Sequence, residues 1–318
     1  MSNGSVITIT MNPAIDKSTM VEQIIPEAKL RCEAAKYEAG GGGINVSKGL
    51  KRLGVDSMAF FTTGGHNGNM LKELVNREGI GLHAIASGSE TRENFIVRES
   101  STNNQYRFNI RANSVEATVV QQCLEGLAAL TYKPEYVVAS GSLPEGVPDH
   151  FYADVAKWSG TVGAKFVLDT SGPSLQLAVG EKIFLLKPNL SELSQLAGRE
   201  IKSTSEAAAA AQVIIRDRDC QVILVSLGAA GALLVTKDIQ DFVAAPVVKK
   251  QSTVGAGDSM VAGMIYGLLQ NYSLKECIRY GVACGTAATM NPGTELFHEE
   301  DAKDIYEQLN RAKPLTEL

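Results

Sequence analysis

Short apolar runs that do not alternate with polar residues recur along the chain from about residue 115 onward. Four of them, at 136–139, 166–168, 183–186 and 222–225, are separated by segments with helical patterning. A strand that is apolar on both faces must be covered on both faces, which is typical of a parallel sheet between helices. The pattern therefore predicts an α/β fold with a central, mainly parallel sheet.

The composition excludes several classes of protein. A chain of 318 residues with 44% hydrophobic residues can bury a sizeable core. Its net charge is −5, and its scattered Lys and Arg residues lack the basic face of a nucleic-acid-binding domain. Residues 1–11 have a strand pattern without the features of a signal peptide, and no apolar run has the length of a membrane span. Because the five cysteines lack CxxC spacing, we expect reduced thiols in a cytoplasmic protein, and the four dispersed histidines argue against a histidine metal site.

Polar residues follow the predicted strands at the point where each strand ends. Ser140, Asp169, the segment 187–189 and Ser226 all occupy such positions. In a parallel sheet these positions share one edge, and ligands bind beyond that edge. The sequence therefore predicts a ligand-binding cleft at the carboxyl ends of the strands.

Two glycine-rich segments each precede a helical pattern. The first is the run 40–43, and four adjacent glycines cost about 0.5–1 kcal/mol each relative to alanine. Such a run suits either a ligand that contacts the backbone or a hinge or tight turn. In the second segment, 252–260, Gly255 and Gly257 precede an apolar helix whose N-terminus would attract an anion. Asp258 lies in that segment either as a helix-capping carboxylate or as a base beside a bound phosphate.

The combination of these features suits phosphoryl transfer. The chain has no GxxxxGK[ST] motif and no GxGxxG motif after a strand, which disfavours a P-loop ATPase and a Rossmann dehydrogenase. Phosphoryl transfer needs donors for the moving phosphate and a carboxylate for the proton of the acceptor hydroxyl. Arg92, Arg107 and Arg111 lie in or just after a predicted hairpin, either as solvated edge residues or as a flap that grips an anion.

Three motifs carry a family resemblance: GGGGINV at 40–46, KPNLSE at 187–192 and STVGAGD at 252–258. In this order, over essentially the whole chain, they resemble the PfkB group of ribokinase-like sugar kinases. Further stretches, such as QYRF at 105–108 and SGSLP at 140–144, are most similar to the PfkB-type 6-phosphofructokinases.

The resemblance implies one three-layer ribokinase-like α/β domain over residues 1–318. It also implies a small β-sheet lid formed by about 13–38 and 91–111. Because so thin a sheet cannot bury its own apolar face, we expect a homodimer in which the lid sheets of two copies pair.

The activity implied by the resemblance is the ATP-dependent phosphorylation of fructose 6-phosphate at its C1 hydroxyl, which gives fructose 1,6-bisphosphate. Asp258 would be the general base, and the backbone of Gly255, Ala256, Gly257 and Asp258 would form the anion hole. The residues expected at the hydroxyls of the sugar are Asp16, Gly41, Gly42 and Asn45. Arg92 and Ser142 would hold its 6-phosphate, with Arg107 a weaker candidate.

The implied cofactors are ATP, Mg²⁺ and K⁺. The residues expected at ATP are Lys29, Lys187, Asn189, Ser226, Gly228 and Gly231, although Lys29 is equally well explained as a solvated lysine of the lid. Asn189 and Glu192 would position Mg²⁺, in part through water. The residues expected at K⁺, mostly through backbone oxygens, are Ser252, Val254, Ala288, Asn291, Gly293 and Glu295.

Two alternatives to this activity stay open. Relatives that act on fructose 1-phosphate or tagatose 6-phosphate commonly carry a lysine within the glycine run, where this chain has Gly42. That difference favours fructose 6-phosphate, and a 1-phosphofructokinase or tagatose-6-phosphate kinase is the nearest alternative. The other is a non-catalytic regulator that binds a sugar phosphate, against which the intact Gly255, Gly257 and Asp258 argue.

Overall fold

The computed structural model describes residues 5–311. Within this range the chain forms thirteen strands and ten α-helices. The strands are β1 Val6–Thr10, β2 Ala14–Val21, β3 Lys36–Gly40, β4 Ser57–Thr63, β5 Gly81–Ala86, β6 Arg92–Glu99, β7 Gln105–Asn109, β8 Tyr136–Ser140, β9 Lys165–Asp169, β10 Ile183–Leu186, β11 Cys220–Ser226, β12 Gly231–Val235 and β13 Gln240–Ala244. The helices are α1 Gly42–Arg52, α2 Gly65–Arg77, α3 Thr118–Ala128, α4 Phe151–Val162, α5 Gly172–Ala178, α6 Leu190–Ala197, α7 Thr204–Asp217, α8 Ala256–Leu269, α9 Leu274–Thr289 and α10 Glu299–Arg311.

Nine strands form the main sheet, in the order β13-β12-β11-β10-β9-β8-β1-β4-β5. All neighbouring strands from β11 to β5 are parallel, and β12 and β13 add an antiparallel hairpin at one edge. The mainly parallel sheet that the apolar runs predict is therefore confirmed. Within residues 5–311, no helix is long and apolar enough to span a membrane.

Helices cover both faces of the main sheet. Ile7 and Ile9 of β1 belong to a buried cluster with residues of α3 and α4, whereas Val6 belongs to a second cluster with residues of α1, α8 and α9. Full burial of a large apolar side chain contributes roughly 1.5–3 kcal/mol, so strands that are apolar on both faces favour two helical layers. The three-layer α/β architecture is confirmed.

A second sheet of four strands, in the order β3-β2-β6-β7, is separate from the main sheet. Its strands lie in the ranges 13–38 and 91–111, except that β3 continues to Gly40. Side chains alternate between its faces, so the opposed pair Asp16 and Asn94 shares one face and the opposed pair Lys17 and Phe95 shares the other. We call this sheet the lid sheet and its two sides the Asp16 face and the Phe95 face.

Candidate active site

Helix α8 begins after Gly255, which has a φ of 70° and supplies no side-chain cap. The carboxylate in its first turn, Asp258, accepts a hydrogen bond from Asn45 Nδ2 at 2.9 Å and another from Ser140 Oγ at 3.4 Å. Within residues 5–311 this carboxylate bonds to side chains of other segments and makes no capping hydrogen bond. The first N–H groups of α8 therefore keep their capacity for an anion.

Burial raises the pKa of Asp258 to about 6, and the negative charge of Asp169 adds to the rise. The hydrogen bond from Asn45, the charge of Lys187 and the hydrogen bond from Ser140 act in the opposite direction. A carboxylate with this pKa is ionised at neutral pH and is a stronger base than an ordinary aspartate. Its environment suits a group that takes a proton from a hydroxyl.

A buried ammonium group lies beside this helix start. Lys187, directly after β10, is 6% exposed and pairs with Asp169 Oδ1 at 3.0 Å. A Cβ added at Gly257 would lie 3.3 Å from Lys187 Nζ. Burial disfavours the charged form of Lys187, but attraction to three carboxylates, Asp169 foremost, outweighs it and raises its pKa. The site thus holds a permanent cation next to the N–H groups of α8, which suits a phosphate.

The glycine run 40–43 leads into α1, which begins after Gly41 with a φ of 122° and no side-chain cap. A Cβ at Gly43 would lie 2.6 Å from Thr10 Oγ1, and Cβ atoms on the neighbouring glycines would overlap the side chains of Asp16 and Ser140. Close packing against the chain itself therefore requires this run. The sequence suits either contact with a ligand or a tight turn here, and the structure adds a steric reason for the glycines.

Asp16 is 6% exposed on the Asp16 face of the lid sheet and accepts a hydrogen bond from Asn94 Nδ2 at 2.8 Å. Burial raises the pKa of Asp16, while the bond from Asn94 and the charges of Lys48 and Arg92 lower it. Because Gly40 packs directly on Asp16, the lid carboxylate lies next to the glycine run and hence near Asn45 of α1. A hydroxyl-rich ligand between these groups would find acceptors and donors on both sides.

Arg92 and Ser142, both expected at the sugar's 6-phosphate, meet at Asn12. Arg92 Nη2 donates to the carbonyl of Asn12 at 3.2 Å, and Asn12 Nδ2 donates to Ser142 Oγ at 3.1 Å. Among the described residues, Arg92 Nε is buried without a hydrogen-bond partner. Arg107 is exposed on β7, close enough to Asp16 for the two charges to interact.

The pair expected at Mg²⁺ forms the start of α6. Asn189 Oδ1 accepts the N–H of Glu192 at 2.9 Å, and Glu192 Oε2 accepts the N–H of Asn189 at 2.8 Å. Burial raises the pKa of Glu192. The second carboxylate oxygen stays outside this reciprocal cap, and a carboxylate with an amide oxygen is a donor set that suits Mg²⁺ held partly through water.

The other residues expected at ATP follow β11. The N–H of Ser226 donates to the carbonyl of Pro188 at 2.9 Å, which joins this turn to the segment after β10. Gly228 has a φ of 59°, and a Cβ there would meet nothing within 4 Å. A Cβ at Gly231 would overlap the backbone around Val243. Gly228 therefore borders open space, whereas Gly231 shapes the chain.

The two segments expected to hold K⁺, 252–254 and 288–295, lie together. Ser252 Oγ donates to the carbonyl of Gly293 at 2.7 Å, and Asn291 Nδ2 donates to the carbonyl of Leu296 at 2.9 Å. The N–H of Val254 donates back to Ser252 Oγ at 3.2 Å, and Ala288 is fully buried. The side chain of Glu295 lies 3.2 Å from His298 Nε2, which leaves its backbone carbonyl as the group that suits a cation.

Lys29 is exposed in the loop between β2 and β3, and it forms no ion pair or hydrogen bond with the other residues that the structure describes. By contrast, three further residues contact the cluster, although the sequence assigns none of them a role there: Asp169, Ser140 and Asn94. Asp169 and Ser140 each end a predicted strand, and that position is the sequence signal that places them at the cleft. Asn94 lies two residues after Arg92 in a strand, and that spacing places both on the same face.

The pfkB family carbohydrate kinase model matches residues 2–301 of this chain. The chain is 39% identical over 308 residues to the ATP-dependent 6-phosphofructokinase isozyme 2 of Escherichia coli, which covers 96% of this chain and 99% of that relative. It is 33% identical over 282 residues to the 1-phosphofructokinase of Xanthomonas campestris, which covers 87% and 88%.

Solved structures of the E. coli phosphofructokinase-2 match the fold over 98% of this chain and 100% of theirs. The complex with fructose-6-phosphate has a TM-score of 0.90 at 36% identity, and the complex with potassium has 0.92 at 38%. The residues matched by the family model include all three motifs. The chain belongs to the pfkB family of carbohydrate kinases.

Proposed function

We propose that the chain transfers the γ-phosphoryl group of ATP to the C1 hydroxyl of fructose 6-phosphate, giving fructose 1,6-bisphosphate. The observation that carries this proposal is the Asp258 carboxylate, whose pKa is raised to about 6, in the uncapped first turn of α8. A base beside free N–H groups and a buried ammonium is the arrangement that phosphoryl transfer to a hydroxyl needs. The similarity to 6-phosphofructokinases supports the choice of reaction.

In the proposed reaction, Asp258 takes the proton of the C1 hydroxyl while the hydroxyl oxygen bonds to the γ-phosphorus. The bond between the γ-phosphorus and the β–γ bridging oxygen breaks, and ADP leaves with that oxygen. The N–H groups of Gly255, Ala256, Gly257 and Asp258 and the ammonium of Lys187 receive the negative charge of the moving group. Each well-aimed donor contributes on the order of 2.7–4 kcal/mol in a site without water.

The sugar would bind between α1 and the Asp16 face of the lid sheet. Asp16 and Asn45 and the backbone of Gly41 and Gly42 would contact its hydroxyls, and Arg92 and Ser142 would hold its 6-phosphate, with Arg107 a weaker candidate. The absence of a lysine at Gly42 supports fructose 6-phosphate, and a Cβ at this position would overlap Ser140. A lysine in that place, as in relatives for the other ketohexose phosphates, would require Ser140 to move.

ATP would lie along the turns that end β10 and β11, at Lys187, Asn189, Ser226, Gly228 and Gly231. Lys29, in the loop between β2 and β3, is the further candidate for contact with ATP. Asn189 and Glu192 would hold Mg²⁺, whose positive charge offsets the phosphates and the excess of carboxylates around Lys187. K⁺ would take backbone oxygens of the two joined segments, with the six residues named in the sequence analysis. A relative with a potassium complex supports this part of the proposal.

A panel of ketohexose phosphates tests the activity. With ATP, Mg²⁺ and K⁺, we expect kcat/KM to be highest for fructose 6-phosphate, ahead of tagatose 6-phosphate and fructose 1-phosphate. A preference for fructose 1-phosphate would assign the chain to the sister activity, and binding without turnover would assign it to the regulator class. Omitting K⁺ or Mg²⁺ in separate runs tests the two cations.

We also propose a homodimer through the Phe95 face of the lid sheet. Lys17 lies 5.3 Å from the ring centre of Tyr37 and 5.9 Å from that of Phe95, and the Phe95 and Phe108 rings stack at 6.2 Å. Phe108 is 50% exposed, and Ile110 at the end of this row is 55% exposed. The row thus has aromatic side chains from three strands, β3, β6 and β7, and Lys17 from β2. It needs a cover to be buried, and a second lid sheet supplies one. The E. coli relative also has a structure described as a tetrameric inhibited form, so the test below allows for multiples of the dimer.

Sedimentation of Phe108→Glu tests the dimer. We expect the wild type to sediment as a dimer or a multiple of it, and the variant as a monomer of reduced activity. Phe242→Glu is the matched control, since Phe242 is 40% exposed on β13, away from the lid sheet. A fully active wild-type monomer at micromolar concentration would contradict the proposal.

The cytoplasmic location expected from the sequence stays part of the proposal. All five cysteines are unpaired, which is consistent with that location.

A further inference from the structure

Four connections join the lid sheet to the rest of the chain, at 11–13, 41, 87–91 and 110–117. The one at 87–91, which connects β5 to β6, is called the hinge segment here. One side chain of this segment, Glu90, reaches back to the start of α2. Its Oε1 accepts the N–H of Asn67 at 2.6 Å, and its Oε2 accepts the N–H of His66 at 3.2 Å. Helix α2 has no cap of its own, since its N-cap is Gly64. A carboxylate from another part of the chain therefore fills the cap position.

The next residue of the hinge segment, Thr91, is bound to the same helix start by three hydrogen bonds. Its N–H donates to the carbonyl of Gly64 at 2.9 Å, its Oγ1 accepts the N–H of Gly64 at 3.1 Å, and its carbonyl accepts from Asn67 Nδ2 at 3.0 Å. Two residues are thus fixed by five bonds. The close approach also explains the adjacent glycines at 64 and 65, because a Cβ at Gly65 would overlap the Glu90 carboxylate.

The residue that follows Thr91 is Arg92, which begins β6. Its guanidinium reaches the carbonyl of Asn12 and the side chain of Asn94, which in turn bonds to Asp16. The position of the hinge segment therefore sets where the guanidinium enters the site. An arginine that binds a phosphate bidentately tolerates little displacement, since the two N–H donors must match two oxygens.

We propose that Glu90 is a positioning residue for sugar-phosphate binding. By holding the hinge segment on the N-terminus of α2, it fixes Arg92 for the sugar's phosphate without touching the substrate itself. This inference rests on the proposed function and deepens it, because it names what orients the phosphate-binding side chain.

Titration calorimetry with fructose 6-phosphate, together with steady-state kinetics, tests the inference on Glu90→Ala and Glu90→Gln. For Glu90→Ala we expect Kd and KM for fructose 6-phosphate to rise about tenfold and KM for ATP to stay within about twofold, because only the sugar side is misaligned. Glu90→Gln keeps one acceptor oxygen, so an intermediate affinity is expected. The matched control is Glu73→Ala, which removes an exposed partner of Arg77 on the same helix and should leave both constants unchanged.

A lower melting temperature for Glu90→Ala with unchanged affinity for fructose 6-phosphate would show that Glu90 only caps α2, and would overturn the inference. If Glu90→Ala does not fold, Glu90→Gln decides, and wild-type affinity in that variant would overturn the inference as well. Failure of the wild-type protein to bind or phosphorylate fructose 6-phosphate would contradict the proposed function instead, and it would be seen before any substitution is made.

Discussion

Two helices of this protein begin in the same way and serve the site differently. Helix α1 begins within the glycine run 40–43, after Gly41, and α8 begins after Gly255. Each has a glycine N-cap with positive φ and no side-chain cap. The two helix starts differ in which atoms occupy the space that a side chain in place of a glycine would need. Around Gly43 it is the chain's own Thr10 and Ile9, whereas beside Gly257 it is the movable end of Lys187.

This comparison separates two uses of glycine that look alike in a sequence. At α1 the glycines let the helix start press against β1 and the lid sheet, which fixes Asn45 where it can bond to Asp258. At α8 Gly257 leaves the N–H groups accessible next to a cation. The first segment is built for packing and the second for an anion, and substitutions at each should fail in different ways.

The largest expected effect is at Asp258, because α8 has a carboxylate in its first turn and α1 has none. We expect Asp258→Asn to lose about 100-fold or more in kcat while binding of fructose 6-phosphate is retained, because an amide accepts Asn45's hydrogen bond but takes no proton. Since burial raises the pKa of Asp258 above that of the unfolded chain, its ionised form at neutral pH does not stabilise the fold, and the melting temperature should not fall. Quench-flow kinetics and thermal unfolding measure both quantities.

Asp154, a carboxylate in the first turn of α4, is the matched control for that substitution. It pairs with Lys157 at 3.8 Å and has no place in the site. Asp154→Asn should lower the melting temperature slightly and leave kcat unchanged, as expected of a charge that only stabilises a helix start. An unchanged kcat in Asp258→Asn, as expected for Asp154→Asn, would show that Asp258 is not the general base. The carboxylates at the starts of α8 and α4 would then both serve only the stability of their helices.

A second pair of variants addresses the glycines directly. In Gly43→Ala the new methyl group would lie 2.6 Å from Thr10 Oγ1 and 2.7 Å from the carbonyl of Ile9, so we expect a loss of about 1–3 kcal/mol in the free energy of unfolding. In Gly257→Ala the nearest atom is Lys187 Nζ at 3.3 Å, which can shift, so stability should be nearly unchanged. Turnover of Gly257→Ala should fall about tenfold, because the methyl group displaces the phosphoryl group from its donors.

Urea unfolding measures the stability of both variants, and steady-state kinetics measure their turnover. Equal losses of stability would contradict the distinction, and so would full turnover in Gly257→Ala. Either result would mean that the open space beside Lys187 is not used by the substrate.

The central strands and their polar ends were predictable because both leave local signals. Runs such as 183–186 are apolar throughout, and Lys187 follows at once. The edge strands β5 and β13 were harder, because they are largely exposed and lack a continuous apolar run. The buried strand β12, next to β13, begins within the glycine turn at Gly231. Local pattern has no information about which strand lies at an edge.

Contacts between distant segments could not be predicted. The sequence marks Asp258 as a candidate base, but its raised pKa arises from burial and from Asp169, which lies 89 positions earlier. Likewise, the pattern around Gly40–Gly43 could not reveal that Asp16 and Ser140 occupy the space of the missing side chains. Most of the candidate residues could be identified from the family resemblance, whereas their contacts and burial are known only from the structure.

The smallest expected effect concerns the pH dependence of Asp258. With its pKa at about 6, the base is protonated in acid, so kcat/KM should fall about tenfold for each pH unit well below that value. A sugar phosphate also titrates with a pKa of about 6, so the inflection in the wild-type profile has two possible sources.

Ser140→Ala separates the two sources. It removes a hydrogen bond that lowers the pKa of Asp258, so it should move the inflection to higher pH while the substrate's titration stays in place. Ser142→Ala, two residues on, should raise KM for the sugar phosphate without moving the inflection. An unmoved profile in Ser140→Ala would assign the inflection to the substrate, and the raised pKa of the α8 carboxylate would lose its part in the reaction.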